Sequence, residues 1–187
     1  MQRFGEGLAA LRTGALVGTA MGWRFGPVGT VRQMQGLARP AAAEPPPPGT
    51  VLRPTEAADL AALATLDHAA TGFERARLLA AMLADGSGVL LKCRGTITGF
   101  ALRRRFGRGA VIGPVTALDA AAARVLIDAL LAPHPGRFVR LDIPLESGLA
   151  PWLETRGLAS AGDVVRMVRG TIARSGHCFT LAGQSLG

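Results

Sequence analysis

Past residue 50 the chain alternates between runs in which apolar residues recur every three or four positions and short runs that are apolar almost throughout. VLRP at 51–54 is strand-like, and Thr55 is a candidate N-cap for EAADLAALATLDHAA. In that segment Leu60, Leu63 and Leu66 fall on one helical stripe, with Glu56, Asp59 and Asp67 elsewhere. A second helix is expected over 73–84, FERARLLAAMLA, ended by Gly86 and Gly88. VLLKCRGTITGFALRRR, residues 89–105, divides at Arg94-Gly95 into the two strands of a tight antiparallel hairpin.

FGRG at 106–109 turns the chain into AVIGPV, 110–115, a wholly apolar strand, after which Asp119 can cap the helix AAAARVLIDALLA. Pro133, Pro135 and Gly136 stop that helix, and RFVRLDIP at 137–144 is the next strand. ESGLAPWLETRG holds a short helix with Pro151 near its first turn and Gly157 closing it. VVRMVRG at 164–170 and HCFTLA at 177–182 are two final strands. The order is β α α β β β α β α β β. A strand, helix and strand between 110 and 143 make a right-handed βαβ unit with two parallel neighbours, whereas the preceding hairpin is antiparallel. The sheet should therefore be mixed.

Upstream the pattern weakens. Residues 1–43 carry five arginines and one acid, Glu6, with little clean periodicity, and EPPPPG at 44–49 enforces an extended, semi-rigid spacer. A domain boundary is expected at 44–49.

At 187 residues, 49% apolar and 18% charged, the chain is globular and long enough for one well-buried domain, but too short for two full α/β domains. Lys92 is the only lysine among 21 basic residues, and the net charge is +8. Such a field favours anionic partners, yet the arginines are dispersed, which also fits the codon bias of a GC-rich genome. The densest basic run, RRRFGR at 103–108, reads as a charged edge strand or as a holder of phosphate. Trp23 and Trp152 are too isolated for base stacking, so nucleic acid is not expected as a partner.

Cys93 and Cys178 are isolated thiols that fit a reducing cytoplasm, and His177 beside Cys178 falls short of the four donors a zinc site needs. No metal is expected. No apolar run reaches the roughly 18 residues of a membrane span. TGALVGTAMG at 13–22 and AAA at 41–43 are separated by Arg24, Arg32 and Arg39, which a signal peptide does not tolerate. A cytoplasmic protein is the expectation.

One glycine pattern carries candidate chemistry. Gln2, Gly5 and Gly7 in QRFGEG have the spacing Q-x-x-G-x-G, which can make a loop whose amides hold a phosphate.

The ordered set DHAATGFERARLL, GTITGFALRRR, AVIGPVTALDAAAARVLIDALL, VRLDIP, WLETRGL and RMVRG resembles the bacterial GCN5-related N-acetyltransferase superfamily. Residues 50–187 are similar to the C-terminal half of its two-domain members. QRFGEGLAAL resembles the superfamily's pyrophosphate loop, and GWRFGPVGTVRQMQG resembles the closing segment of the same domain. The resemblance implies a remnant of a first domain over 1–43, a linker over 44–49 and a complete second domain over 50–187. It implies an α/β (α+β) fold: a mixed, mostly antiparallel sheet with a central parallel βαβ unit and flanking helices.

It also implies acetyl transfer from acetyl-CoA, as co-substrate, to an amine of a small molecule or peptide. The acyl-CoA would lie between two splayed parallel strands, against Ile112 and Val115, with Gln2, Gly5 and Gly7 on its pyrophosphate. An ammonium acceptor near pKa 10 needs a base. Asp142 is the first candidate, Glu146 the second, and Cys93 an outside candidate for the acid, since the chain has no tyrosine. Against this stands GPVTALD, which replaces the phosphate loop in the second domain: Pro114 lacks an amide proton, and Asp119 places a carboxylate where the pyrophosphate would rest. A chain inactive as it stands, or a non-catalytic module that senses a ligand or binds a partner, is the alternative. An incomplete first module would expose apolar surface and invite self-association.

Overall fold

The computed structural model describes residues 25–170 and 177–184. From residue 50 onward the elements follow the expected order. Strand β2 (Thr50–Pro54) leads into helices α1 (Leu60–Thr71) and α2 (Ala76–Asp85), then strands β3 (Gly86–Cys93), β4 (Thr96–Phe106) and β5 (Gly109–Ala117). Helix α3 (Ala120–Leu131), strand β6 (Phe138–Pro144), helix α4 (Ala150–Thr155) and strands β7 (Leu158–Val168) and β8 (His177–Thr180) complete them. Upstream lies a further strand, β1 (Gly26–Leu37).

Local chemistry accounts for most of the boundaries. Arg94 and Gly95 both adopt positive φ, 48° and 88°, as a two-residue turn between β3 and β4 requires. Asp119 is extended and accepts the Ala122 amide at 2.8 Å, capping α3. Gly157, at φ 86°, follows α4, and its amide donates to the Glu154 carbonyl at 3.0 Å.

Three expectations are corrected. Thr55 is not a cap: Glu56 precedes a 3-10 turn, Ala57–Asp59, in which the Glu56 side chain and Asp59 form a reciprocal capping box. Gly86 does not close α2 in a left-handed conformation; it is extended at φ −138° and opens β3, where a Cβ would overlap the Arg103 carbonyl oxygen. Nor is RRRF an edge segment, because β4 lies between β3 and β5, inside the sheet.

The described strands form one sheet in the order β2-β3-β4-β5-β6-β1-β7, with β8 paired to β5. It is mostly antiparallel; β5 and β6 are the parallel pair. One face packs on α3 and α4 through Ile112, Val115, Leu126, Ile127, Val139, Leu141 and Leu153. The other meets α1 and α2 through Leu63, Leu79, Leu90, Phe100 and Leu102. Among the described residues no helix is long and apolar enough to cross a membrane.

Residues on the far side of EPPPPG are built into this sheet. β1 runs antiparallel to β6 on one side and to β7 on the other, with Val31 and Met34 buried. The proline segment is tied down as well. The Glu44 amide donates to Asp128 at 3.1 Å, and its carboxylate accepts from Arg124 at 3.2 Å. Asp67 also departs from the sequence pattern: it is fully buried and held by both guanidinium arms of Arg75, at 2.7 and 2.8 Å.

Candidate functional site

The parallel pair is short. β5 and β6 are in register only at Ala110–Val139 and Val111–Arg140, and beyond these the strands part. The sequence supplies a reason. Gly113-Pro114 forms a bulge on β5, which passes from Ile112 opposite Arg103 to Val115 opposite Ala101. Pro114 has no amide proton for a ladder, and a bulge bends its strand. A fork results, with Ile112 and Val115 on one arm and Asp142 on the other.

The fork is filled. Strand β8 runs antiparallel to the distal half of β5, pairing Val115 with Thr180, Thr116 with Cys178 and Ala117 with His177. Just beyond it the Leu181 amide donates to the Asp142 carbonyl at 2.8 Å, so one segment touches both arms. The backbone of Ile112 and Val115, expected to face a cofactor, thus faces the chain itself. The Thr180 hydroxyl lies 3.3 Å from the Ile112 carbonyl.

Asp142 is 1% exposed. Its carboxylate takes two hydrogen bonds from Arg140, two residues earlier on the same face of β6, each 3.0 Å. Arg140 also stacks on the Phe106 ring, 5.4 Å from its centroid, and Arg104 does the same at 5.4 Å. These residues line a cavity of about 270 Å³ together with Val111, Gly183 and Gln184. Both oxygens of the candidate base are therefore engaged by a guanidinium, which favours a positioned anion over a free proton acceptor.

Glu146, the second carboxylate, lies in a 3-10 turn, Leu145–Ser147, and lines a separate cavity of about 370 Å³ with Arg166, His177, Cys178 and Phe179. Cys93 is not brought near either. It ends β3, opposite Thr96 and Thr50, on the far side of β4 from the fork. Gln2, Gly5 and Gly7 lie outside the described residues.

The N-terminus of α3 offers no free anion site. Asp119 Oδ1 already takes the Ala122 amide, and its negative charge stands where the helix dipole would draw an anion. Acetyl-CoA therefore does not fit the described residues of this fork, since its arm would collide with β8 and its phosphates with Asp119. Pro114 and Asp119 signalled this from the sequence; HCFTLA was legible as a strand, but nothing signalled that it enters the fork. A larger cavity, about 440 Å³, opens where α1 begins and α2 ends, but Glu56 is its one ionisable lining residue and is exposed. Among the described residues no group of His, Cys, Asp and Glu could hold a metal ion.

Comparison with known proteins gives a consistent family. Residues 63–179 match the model of a family described as an acetyltransferase (GNAT) domain. A Pyrococcus horikoshii protein named as an acetyltransferase superposes with a TM-score of 0.64 at 19% identity, over 87% of this chain and 53% of that one. A GCN5-related N-acetyltransferase from Sphaerobacter thermophilus gives 0.59 at 19% identity, over 81% and 55%. One from Kribbella flavida gives 0.51 at 17%, over 79% and 60%. At these identities the likeness concerns the fold, and the chain spans about half the length of the first two. The search of curated proteins finds no match.

Proposed function

The chain belongs to the acetyltransferase (GNAT) family, and on that premise we propose that it serves acetyl transfer from acetyl-CoA to an amine of a small molecule or peptide. In this reading the sheet of β1 to β8 is the part of an acetyltransferase that does not grip the cofactor. The filled fork carries that division: β8 takes the backbone of Val115 to Ala117, and Asp119 takes the amide at the start of α3. The anion-holding role is left to Gln2, Gly5 and Gly7, whose spacing suits a pyrophosphate. β1 would then be the last strand of the preceding module, lent to this sheet across the linker.

Proton removal from the ammonium acceptor is the chemistry the protein must supply. Asp142 is the residue proposed for it, on the cavity beside the fork, and it can act only if Arg140 releases one oxygen. A cytoplasmic location accords with Cys93 and Cys178, which form no disulfide with each other. Self-association, if it occurs, would use the β1–β7 side of the sheet, where Val28, Val164, Val165 and Met167 are exposed. Arg32, Arg53, Arg75, Arg140 and Arg156 are each paired with an aspartate, Asp163, Asp59, Asp67, Asp142 and Asp128 in turn, and a nucleic-acid partner is not part of this reading.

A second reading draws on the same filled fork: a non-catalytic module that uses the fold to sense a ligand or bind a partner. Isothermal titration with acetyl-CoA, followed by thiol release from acetyl-CoA in the presence of an amine panel, separates the two. Acetyl transfer predicts binding that Gly5→Ala weakens, and turnover that Asp142→Asn reduces. No heat at millimolar acetyl-CoA and no thiol release would leave the non-catalytic module.

A further inference from the structure

Where β6 departs from β5, both arms of the fork present backbone amides and carbonyls that a buried position does not leave unpaired. The described chain answers with one short segment. Val115, Thr116 and Ala117 pair with Thr180, Cys178 and His177, and Leu181 reaches across to the Asp142 carbonyl at 2.8 Å. The Thr180 hydroxyl donates to the Ile112 carbonyl at 3.3 Å, and Arg104 donates to the Ala182 carbonyl at 3.2 Å.

Burial says the same. Phe179, Thr180, Leu181 and Ala182 are 7%, 0%, 2% and 0% exposed, values found in a core rather than in a tail resting on a surface. Phe179 belongs to the cluster under α3, and Ala182 to the cluster under α1 and α2, so the segment joins the cores of the two faces. Gly113 completes the accommodation: any side chain there would overlap the Leu181 carbonyl oxygen.

We infer that residues 177–182 are a built-in occupant of the fork, which makes it a strand-binding slot whose ligand is the chain's own C-terminal segment and closes it to acetyl-CoA. An extended polypeptide suits the slot because its amides and carbonyls alternate between the two arms. The inference deepens the proposed function and rests on it only for the identity of the excluded ligand.

Hydrogen exchange on the full chain tests it directly. The Leu181 amide and the amides of 115–117 are expected to exchange at least about 100-fold more slowly than in an unstructured peptide, and millimolar acetyl-CoA is expected to leave them unchanged. Acetyl-CoA that speeds exchange at 178–182, or fast exchange there without ligand, would overturn the inference. A chain stopped after Gly176 gives the second measurement: a synthetic peptide of residues 177–187 should restore slow exchange at 115–117, and its scrambled version should not. Restoration by both peptides, or by neither in a folded chain, counts against the slot.

Should the shortened chain fail to fold, Thr116→Cys in the full chain replaces it. Thr116 and Cys178 are opposed in the ladder, so air oxidation should join them and leave one free thiol of three, that of Cys93; three thiols still free after oxidation deny the placement of β8. The two readings fail separately. A chain inactive in acetyl transfer with a protected 178–182 removes the acyl-transfer reading alone, whereas an active chain whose acetyl-CoA unprotects that segment removes this inference alone.

Discussion

Gly113→Ala is the smallest change that bears on the filled fork. Its added methyl would stand 3.0 Å from the Leu181 carbonyl carbon and 3.0 Å from the Thr180 hydroxyl oxygen, and closer still to the Leu181 carbonyl oxygen. Carbon-to-oxygen contacts settle at about 3.3–3.6 Å, so the Leu181 peptide has to retreat by on the order of 1 Å. The hydrogen bond from Leu181 to Asp142 is 2.8 Å long and is lost at that displacement. Overpacking of this kind costs about 1–3 kcal/mol, and the lost bond adds about 1 kcal/mol.

A destabilisation of about 2–4 kcal/mol follows, which for a chain of this length lowers Tm by roughly 5–15 °C. Thermal unfolding followed by circular dichroism reads the shift, and hydrogen exchange at Leu181 reports whether β8 has detached. Gly26→Ala is the control, because a Cβ there meets nothing within 4 Å. Equal Tm values for the two variants, with Leu181 still protected in Gly113→Ala, would refute the packing of β8 against β5.

Met34→Ala tests whether residues upstream of the proline segment belong to this core: Met34 is 0% exposed, and its loss should cost about 2–5 kcal/mol in urea unfolding, against almost nothing for a strand outside the sheet. Asp67→Ala leaves the Arg75 guanidinium without its buried carboxylate and is expected to cost about 3–5 kcal/mol, while Glu74→Ala, at an exposed residue, should stay within about 0.5 kcal/mol.

His134 carries a pH signature. Burial first, then Arg103 and Arg137, hold its pKa below the ordinary histidine value. The unfolded chain therefore binds its proton first, so stability is complete above about pH 6.5 and declines as pH falls below it. Urea unfolding between pH 8 and pH 5 should show that decline shrinking in His134→Gln; an unchanged profile removes His134 as its source.

What the sequence by itself determined is what short-range chemistry controls. The turn at Arg94-Gly95 needs two positive φ angles, and Asp119 caps the amide three residues ahead. The apolar run AVIGPV leaves a strand no face turned to water. These effects act within a few residues, so the element order past residue 50 and the mixed α/β sheet were legible. The misassigned ends, at Thr55 and Gly86, arose where a distant backbone decided instead: Gly86 is extended because Arg103 lies against it.

Only the tertiary structure decided the pairings between distant segments. Nothing in GPVGTVRQMQGL says that it lies between residues 138–144 and 158–168, and nothing in HCFT says that it enters the fork rather than extending an edge. Strand pairing is read from neighbours in space, and the alternation along a strand is the same whichever partner it finds. Asp67, set apart from the leucine stripe in the sequence, is buried for a related reason: its partner, Arg75, is eight residues away, beyond the end of its own helix. The part of the site that was legible, Pro114 and Asp119, indicated that α3 begins without a free anion site. Which atoms fill the fork depended on long-range packing of the C-terminal strand.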